Sequence, residues 1–166
     1  GVAASTLTLL GGFADGVYAM HPELPDTVSD SSNLGRIYVE DDTVCLDAMI
    51  RSMDVEAEKA LHHSHEMTAG MCGFIGRILT QYPAWPAAPH SELATKMQEL
   101  YRKYGEGEPE IIAQHVGLEP SYFQAMNPEM DSVCMGMDIH GCHSPEERWK
   151  LDSIPTLGRM LMEYLQ

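Results

Sequence analysis

Three prolines punctuate the stretch YPAWPAAPH, at Pro83, Pro86 and Pro89. Proline fixes φ and has no amide hydrogen to donate, so neither a helix interior nor a central strand can run through this stretch. The chain is therefore expected to fold as two segments, residues 1–86 and 87–166. With 166 residues in all, each segment is small for an independent core.

The first segment carries a hairpin signal. RIYVEDDTVCLDAMIRS contains two β-rich runs joined through Glu40-Asp41-Asp42-Thr43. DVEAEKALHHSHEMTAGMCG follows with good helix formers, Asp54 as N-cap and Gly73 as stop. FIGRILTQY is a further strand candidate, so residues 34–82 read β-β-α-β, a ferredoxin-like open sandwich. Upstream, residues 5–12 read as the end of a helix, and the Pro- and Asp-rich stretch from Phe13 to Gly35 reads as loop.

The second segment alternates. SELATKMQELYRKYG is an amphipathic helix capped by Ser91, with Leu93, Met97 and Leu100 on one face. EIIAQHVG and DSVCMGMDI read as strands, the latter apolar enough for a parallel strand buried on both sides. EPSYFQAM reads as a helical turn and DSIPTLGRMLMEYLQ as a closing helix. The expected class is α/β: an α+β segment followed by an α/β segment.

The bulk charge narrows the function. Formal net charge is −15, from 25 acidic and 10 basic residues, which disfavours a nucleic-acid partner. Four scattered cysteines, Cys45, Cys72, Cys134 and Cys142, fit a reducing cytoplasm better than a disulfide framework. TLTLL is too short to span a membrane. The opening GVAASTLTLL, without an initiator methionine, reads as the middle of a longer protein.

The chemistry concentrates in HGCHSPEER, residues 140–148. A histidine in a Gly/Pro-bounded loop beyond an apolar run is a good metal ligand, and His140 and His143 both qualify. Zinc, however, needs three or four ligands. HHSHE, on the 54–72 helix, places His62 with His65 and with Glu66 at helical spacing. Its order is not H-E-x-x-H, and it reads as a solvated face. The twelve methionines read as core filler, and Trp85 and Trp149 as packing residues.

GCHSPEER resembles the G-[PA]-H-S-P-D-E-[RQ] motif of bacterial aminoacyl-histidine dipeptidases, cytosolic zinc enzymes. QHVGLEPSYF is similar to that family's H-A-G-L-E-C-G-x-F. DSSNLG and the hairpin ending in Ile50-Arg51-Ser52 resemble its T-S-x-N-L-G and I-R-S, and PEMD resembles its P-x-M-D. The four matches occur in the family's order.

The resemblance implies a zinc dipeptidase acting on small Xaa-His or related dipeptides, with His143 as the C-terminal zinc ligand; His140 falls where the family usually has another residue and reads as a bystander or an indirect partner. It places Arg51 and Asn33 on substrate-holding positions of a lid domain. His115, Gly117 and Glu119 fall in a loop bordering the substrate. A guanidinium suits a peptide's terminal carboxylate, because it can grip it with two hydrogen bonds. The family uses two zinc ions, with manganese or cobalt as substitutes, and its lid domains pair as homodimers. Its general-base Glu is expected upstream, and its remaining ligands (an H-x-D pair, a bridging Asp, a Glu-Glu pair and a further Asp) have no counterpart here. No H-x-D occurs, and the one Glu-Glu, Glu146-Glu147, belongs to the metal loop.

The chain thus reads as the C-terminal part of such an enzyme, inactive alone. The alternative is a dimerising or binding module, or a degenerate relic without a complete metal site. One departure stands out: Pro120-Ser121 replaces the family's Cys-Gly, which leaves the dipeptide specificity open.

Overall fold

The computed structural model describes residues 1–166. In chain order the elements are α1 (Val2–Gly12), β1 (Gly16–Met20), β2 (Val28–Glu40), β3 (Thr43–Ser52), α2 (Val55–Met71) and α3 (Glu92–Tyr104). They continue with α4 (Pro120–Met126), β4 (Ile139–His140), β5 (Arg148–Trp149), a 3-10 turn at Leu151–Ser153, and α5 (Ile154–Tyr164). The chain forms two compact units. One holds Gly1–Pro89 with Ala113–Pro128, and the other His90–Ile112 with Glu129–Gln166. Helices and antiparallel sheets make this a mixed α/β protein.

In the first unit, β1, β2 and β3 form an antiparallel sheet in that order. Glu40 pairs with Thr43 across Asp41-Asp42, whose φ values of 46° and 58° give the two-residue turn that matches strand twist. The hairpin thus forms where the sequence placed it. Residues 55–71 are helical because Asp54 accepts a hydrogen bond from the Ala57 amide at 2.7 Å and the run holds no proline. The helix ends at Cys72, followed by Gly73 at φ +80°.

α2 packs on β2 and β3 through unusual chemistry. Leu61 and Ala69 are buried, but so are Ser29, Asp30, Ser32 and Glu58. His65 accounts for part of this: its Nε2 lies 3.1 Å from both the Ser32 hydroxyl and the Ala14 carbonyl, and its ring lies 4.1 Å from Phe13. Burial holds its pKa below the ordinary imidazole value, against the Ala14 hydrogen bond, so the ring is neutral near pH 7. The solvated face read for HHSHE therefore holds for His63, Ser64 and Glu66 but not for His65. His65 is packed between β2 and the end of α1, and half-buried His62 lies 3.8 Å from buried Glu58.

Three expected strands do not form. Residues 74–82 and 110–117 have no ladder partner, and of DSVCMGMDI only Ile139 enters a strand. Strand structure needs a neighbour for its amides and carbonyls, and apolar sequence alone does not supply one. The ferredoxin-like β-β-α-β order is accordingly absent, and no parallel pair occurs. In its place β1, read as loop, supplies the third strand by pairing Gly16 with Ser32 and Met20 with Val28.

The second unit is built on α3 and α5. Met97, Leu100 and Met160 are its buried centre, flanked by Leu93, Tyr101, Tyr104, Val133 and Met135. Ser91 caps α3, its hydroxyl accepting from the Ala94 amide at 2.9 Å and donating to Asp131 at 2.7 Å. The other Asp131 oxygen accepts from the Leu93 amide at 2.9 Å. This clasp ties the run 131–138 to the start of α3. At the far end of that run the Asp138 amide donates to the Ser153 hydroxyl at 3.0 Å, and the Lys150 amide to the Asp138 carbonyl at 2.9 Å.

Candidate functional site

The second unit's run 131–138 leads into the HGCHSPEER loop. β4 and β5 pair through Ile139 with Trp149 and His140 with Arg148, making a minimal hairpin with residues 141–147 at its tip. Gly141 has φ +63°, and a side chain there would meet Ser144 Oγ at 3.0 Å and the Glu146 carbonyl oxygen at 3.2 Å, so glycine is required. Its carbonyl accepts from both the Ser144 amide, at 3.0 Å, and the Ser144 hydroxyl, at 2.7 Å. His143 also has a left-handed backbone, at φ 62°, and its amide donates to Glu147 Oε2 at 2.7 Å. The His143 side chain is exposed while its amide is engaged.

Here the structure brings together Cys142, His143 and Glu147. A sulfur, an imidazole nitrogen and a carboxylate oxygen lie within 4.8 Å of one another, all exposed. Sulfur, nitrogen and oxygen donors are the set zinc takes, and solvent supplies a fourth. The donor set fits a divalent metal. His140 lies outside this cluster, on β4. Glu147 is the motif's glutamate, four residues beyond His143, and Cys142 stands where the resembled motif has Pro or Ala.

The first unit gathers a second set. Ser31 and Arg51 are cross-strand partners of β2 and β3, and Asn33 follows two residues along, opposite Met49. A period of two puts Ser31, Asn33 and Arg51 on one face, while Ser32 turns to His65 on the other. His115 meets this face. Its Nε2 shares a 2.6 Å hydrogen bond with the Ser31 hydroxyl, and Arg51 Nη1 approaches its carbonyl at 3.5 Å, the outer limit for such a bond. Burial and then the Arg51 charge depress the His115 pKa, with Asp30 opposing, so His115 is neutral near pH 7.

Arg51, His115 and Asn33 are therefore drawn into one region, and Ser31, the serine of the same motif to which no role had been given, joins them. Gly117 lies beside the Tyr82 ring, 3.3 Å from where a side chain would begin. Its smallness serves that packing. Glu119 is exposed at the start of α4 and makes no side-chain cap.

No family model matches the chain. It is 27% identical over 160 residues, 96% of its length, to the cytosol non-specific dipeptidase of Escherichia coli K12. Its fold matches the crystal structure of aminoacylhistidine dipeptidase from Vibrio alginolyticus with a TM-score of 0.78 over 98% of the chain, at 26% identity. The chain is homologous to the first of these dipeptidases and shares the fold of the second. It spans about a third of the length of each, 33% and 34%.

Proposed function

We propose that the chain is the C-terminal part of a zinc-dependent dipeptidase, a cytoplasmic hydrolase of small dipeptides, Xaa-His or related. The observation that carries this reading is His143, held at positive φ on the tip of a motif hairpin with its imidazole beside a carboxylate. A bound zinc would supply Lewis-acid polarisation of the scissile carbonyl and a water acidic enough to attack it.

This chain's own residues would do the rest by holding. His143 would donate nitrogen to the metal, and Glu147 would fix the His143 backbone. Of its five N–H donors Arg51 uses at most one, on the His115 carbonyl, leaving a fork for a peptide carboxylate. The Ser31–His115 bond would keep the neutral imidazole and the 113–128 segment against that fork, with Asn33 offering an amide beside it. β3 lies at the sheet edge, so its outer backbone groups would suit pairing with a second copy, a homodimer checked by light scattering.

The test is the intact mass, zinc content and peptidase activity of the gene product purified from its native cells. A product much heavier than 18.4 kDa, with two zinc ions per chain and a dipeptidase activity abolished by His143→Ala, is expected. A native product of 18.4 kDa without hydrolysis would instead support a binding or dimerising module.

A further inference from the structure

Cys142 is the feature of the metal hairpin that the dipeptidase motif does not explain. Its neighbours in the cluster are a motif histidine and a motif glutamate, and the motif itself has Pro or Ala at this position. A cysteine side chain at a hairpin tip normally serves no packing purpose, and this one is exposed. Yet its sulfur is within 4.8 Å of both the His143 and Glu147 donor atoms. The other three cysteines, Cys45, Cys72 and Cys134, form no such group.

We propose that Cys142 is a metal ligand, so that this hairpin is a self-contained thiolate–imidazole–carboxylate site for a thiophilic divalent cation such as zinc or cobalt. The inference deepens the reading of His143 as a metal ligand and rests on it. The chemistry favours it in three ways. Thiolate is the softest donor in the chain's repertoire, and it raises the preference for zinc and cobalt over magnesium, calcium and manganese. Two of the three ligands are adjacent in sequence, and the third is tied to them by the His143–Glu147 hydrogen bond at 2.7 Å. Little further ordering is needed when the metal arrives. The exposure of all three leaves a fourth position open to water, as in catalytic rather than structural zinc sites. Binding replaces the thiol proton by the metal, and that proton goes to solvent.

The experiment is a cobalt(II) titration of the metal-free, reduced 18.4-kDa chain under anaerobic conditions, read in the near-ultraviolet and visible. A thiolate ligand gives an intense sulfur-to-cobalt charge-transfer band. Imidazole and carboxylate give only the weak visible bands. The unaltered chain is expected to show both. Cys142→Ser should lose the charge-transfer band and keep the visible bands. Its affinity should fall by at least the roughly 10–100-fold that losing an outer-sphere partner costs a metal site. Far-ultraviolet circular dichroism confirms that the variant is folded. Cobalt binding without a charge-transfer band, but abolished by His143→Ala, would overturn the Cys142 assignment and leave the His143 reading standing. A band that persists in Cys142→Ser would overturn it too, by assigning the sulfur to another cysteine. No cobalt binding at all would overturn the self-contained site, while the His143 reading, whose other ligands lie outside this chain, is decided by the zinc content of the native product.

Discussion

Removing the Ser91 hydroxyl should loosen the part of the second unit that carries the metal hairpin. Ser91 is 9% exposed and does two things: it caps α3 through the Ala94 amide, and it holds the Asp131 carboxylate. Loss of an N-cap costs about 1 kcal/mol. Loss of the hydrogen bond to Asp131 adds about 1 kcal/mol, taken at the low end because that carboxylate is exposed and screened. The Leu93 amide keeps its own bond to Asp131, so the first turn of α3 is weakened and not abolished. Ser91→Ala should therefore destabilise the unit by about 2 kcal/mol in urea unfolding at neutral pH. Acid divides the two parts. Ser91, and after it the Leu93 amide, hold the Asp131 pKa below its ordinary value of 3.8. The folded carboxyl binds its proton less readily than the unfolded one. Its contribution is complete above pH 3.8 and fades as pH falls through the lowered folded value. The gap between wild type and Ser91→Ala should shrink there to the cap alone. A loss below about 0.5 kcal/mol at neutral pH would refute the clasp. A gap unchanged by acid would remove Asp131 from it.

Gly141→Ala forces a side chain into φ +63° against Ser144 and the Glu146 carbonyl. It should cost about 1–3 kcal/mol locally and weaken cobalt binding, read by the titration above. Arg51→Lys replaces a fork with a point charge and should lower affinity for a dipeptide about tenfold or more by calorimetry. An amidated dipeptide should bind wild type and variant alike. Both His65 and His115 have pKa values lowered by burial, so the unfolded chain takes up more protons near neutrality. Stability should be full above the ordinary value of 6.5 and decline as pH falls from there toward the lowered folded values, and His65→Gln should flatten that decline in urea titrations.

The legible parts of the fold were those whose signal is local. The Asp41-Asp42 turn, the Asp54 and Ser91 caps and the apolar face of α3 each need only a few neighbouring residues, and each formed as read. The first half of β2 was illegible because its buried residues are Ser29, Asp30 and Ser32. No hydrophobic alternation marks a strand whose inner face is polar. Asp30 takes a hydrogen bond from Ser52, and Ser32 meets His65, partners that only the tertiary fold supplies. The opposite error came from Ile75, Ile78, Leu79, Ile111 and Ile112, which look like strand residues but stand exposed without a ladder. For the site, motif residues marked Arg51 and His115. The same motif match covers Ser31, but its place beside Arg51 and His115 comes from the register of β2 against β3.

Pro120-Ser121, where the resembled family has Cys-Gly, opens α4. Pro120 stands at the first position of α4, where its missing amide hydrogen costs the helix no bond. Ser121 sits next to it, 1% exposed, its amide donating to the Leu118 carbonyl at 3.1 Å but its hydroxyl buried without a partner. A buried hydroxyl that gives up water and gains nothing in exchange costs about 1–3 kcal/mol. Glycine at this position would avoid that cost but would free the backbone in the unfolded chain. Alanine avoids both, since it keeps the Cβ that the fold already accommodates and deletes the oxygen. Ser121→Ala should therefore stabilise the first unit, by about 1 kcal/mol in urea unfolding. Ser121→Gly should be less stable than Ser121→Ala by about 0.4–1 kcal/mol. If Ser121→Ala is destabilising, the hydroxyl has a partner, and the 113–128 segment that carries His115 is held more tightly than its contacts with β2 and β3 indicate.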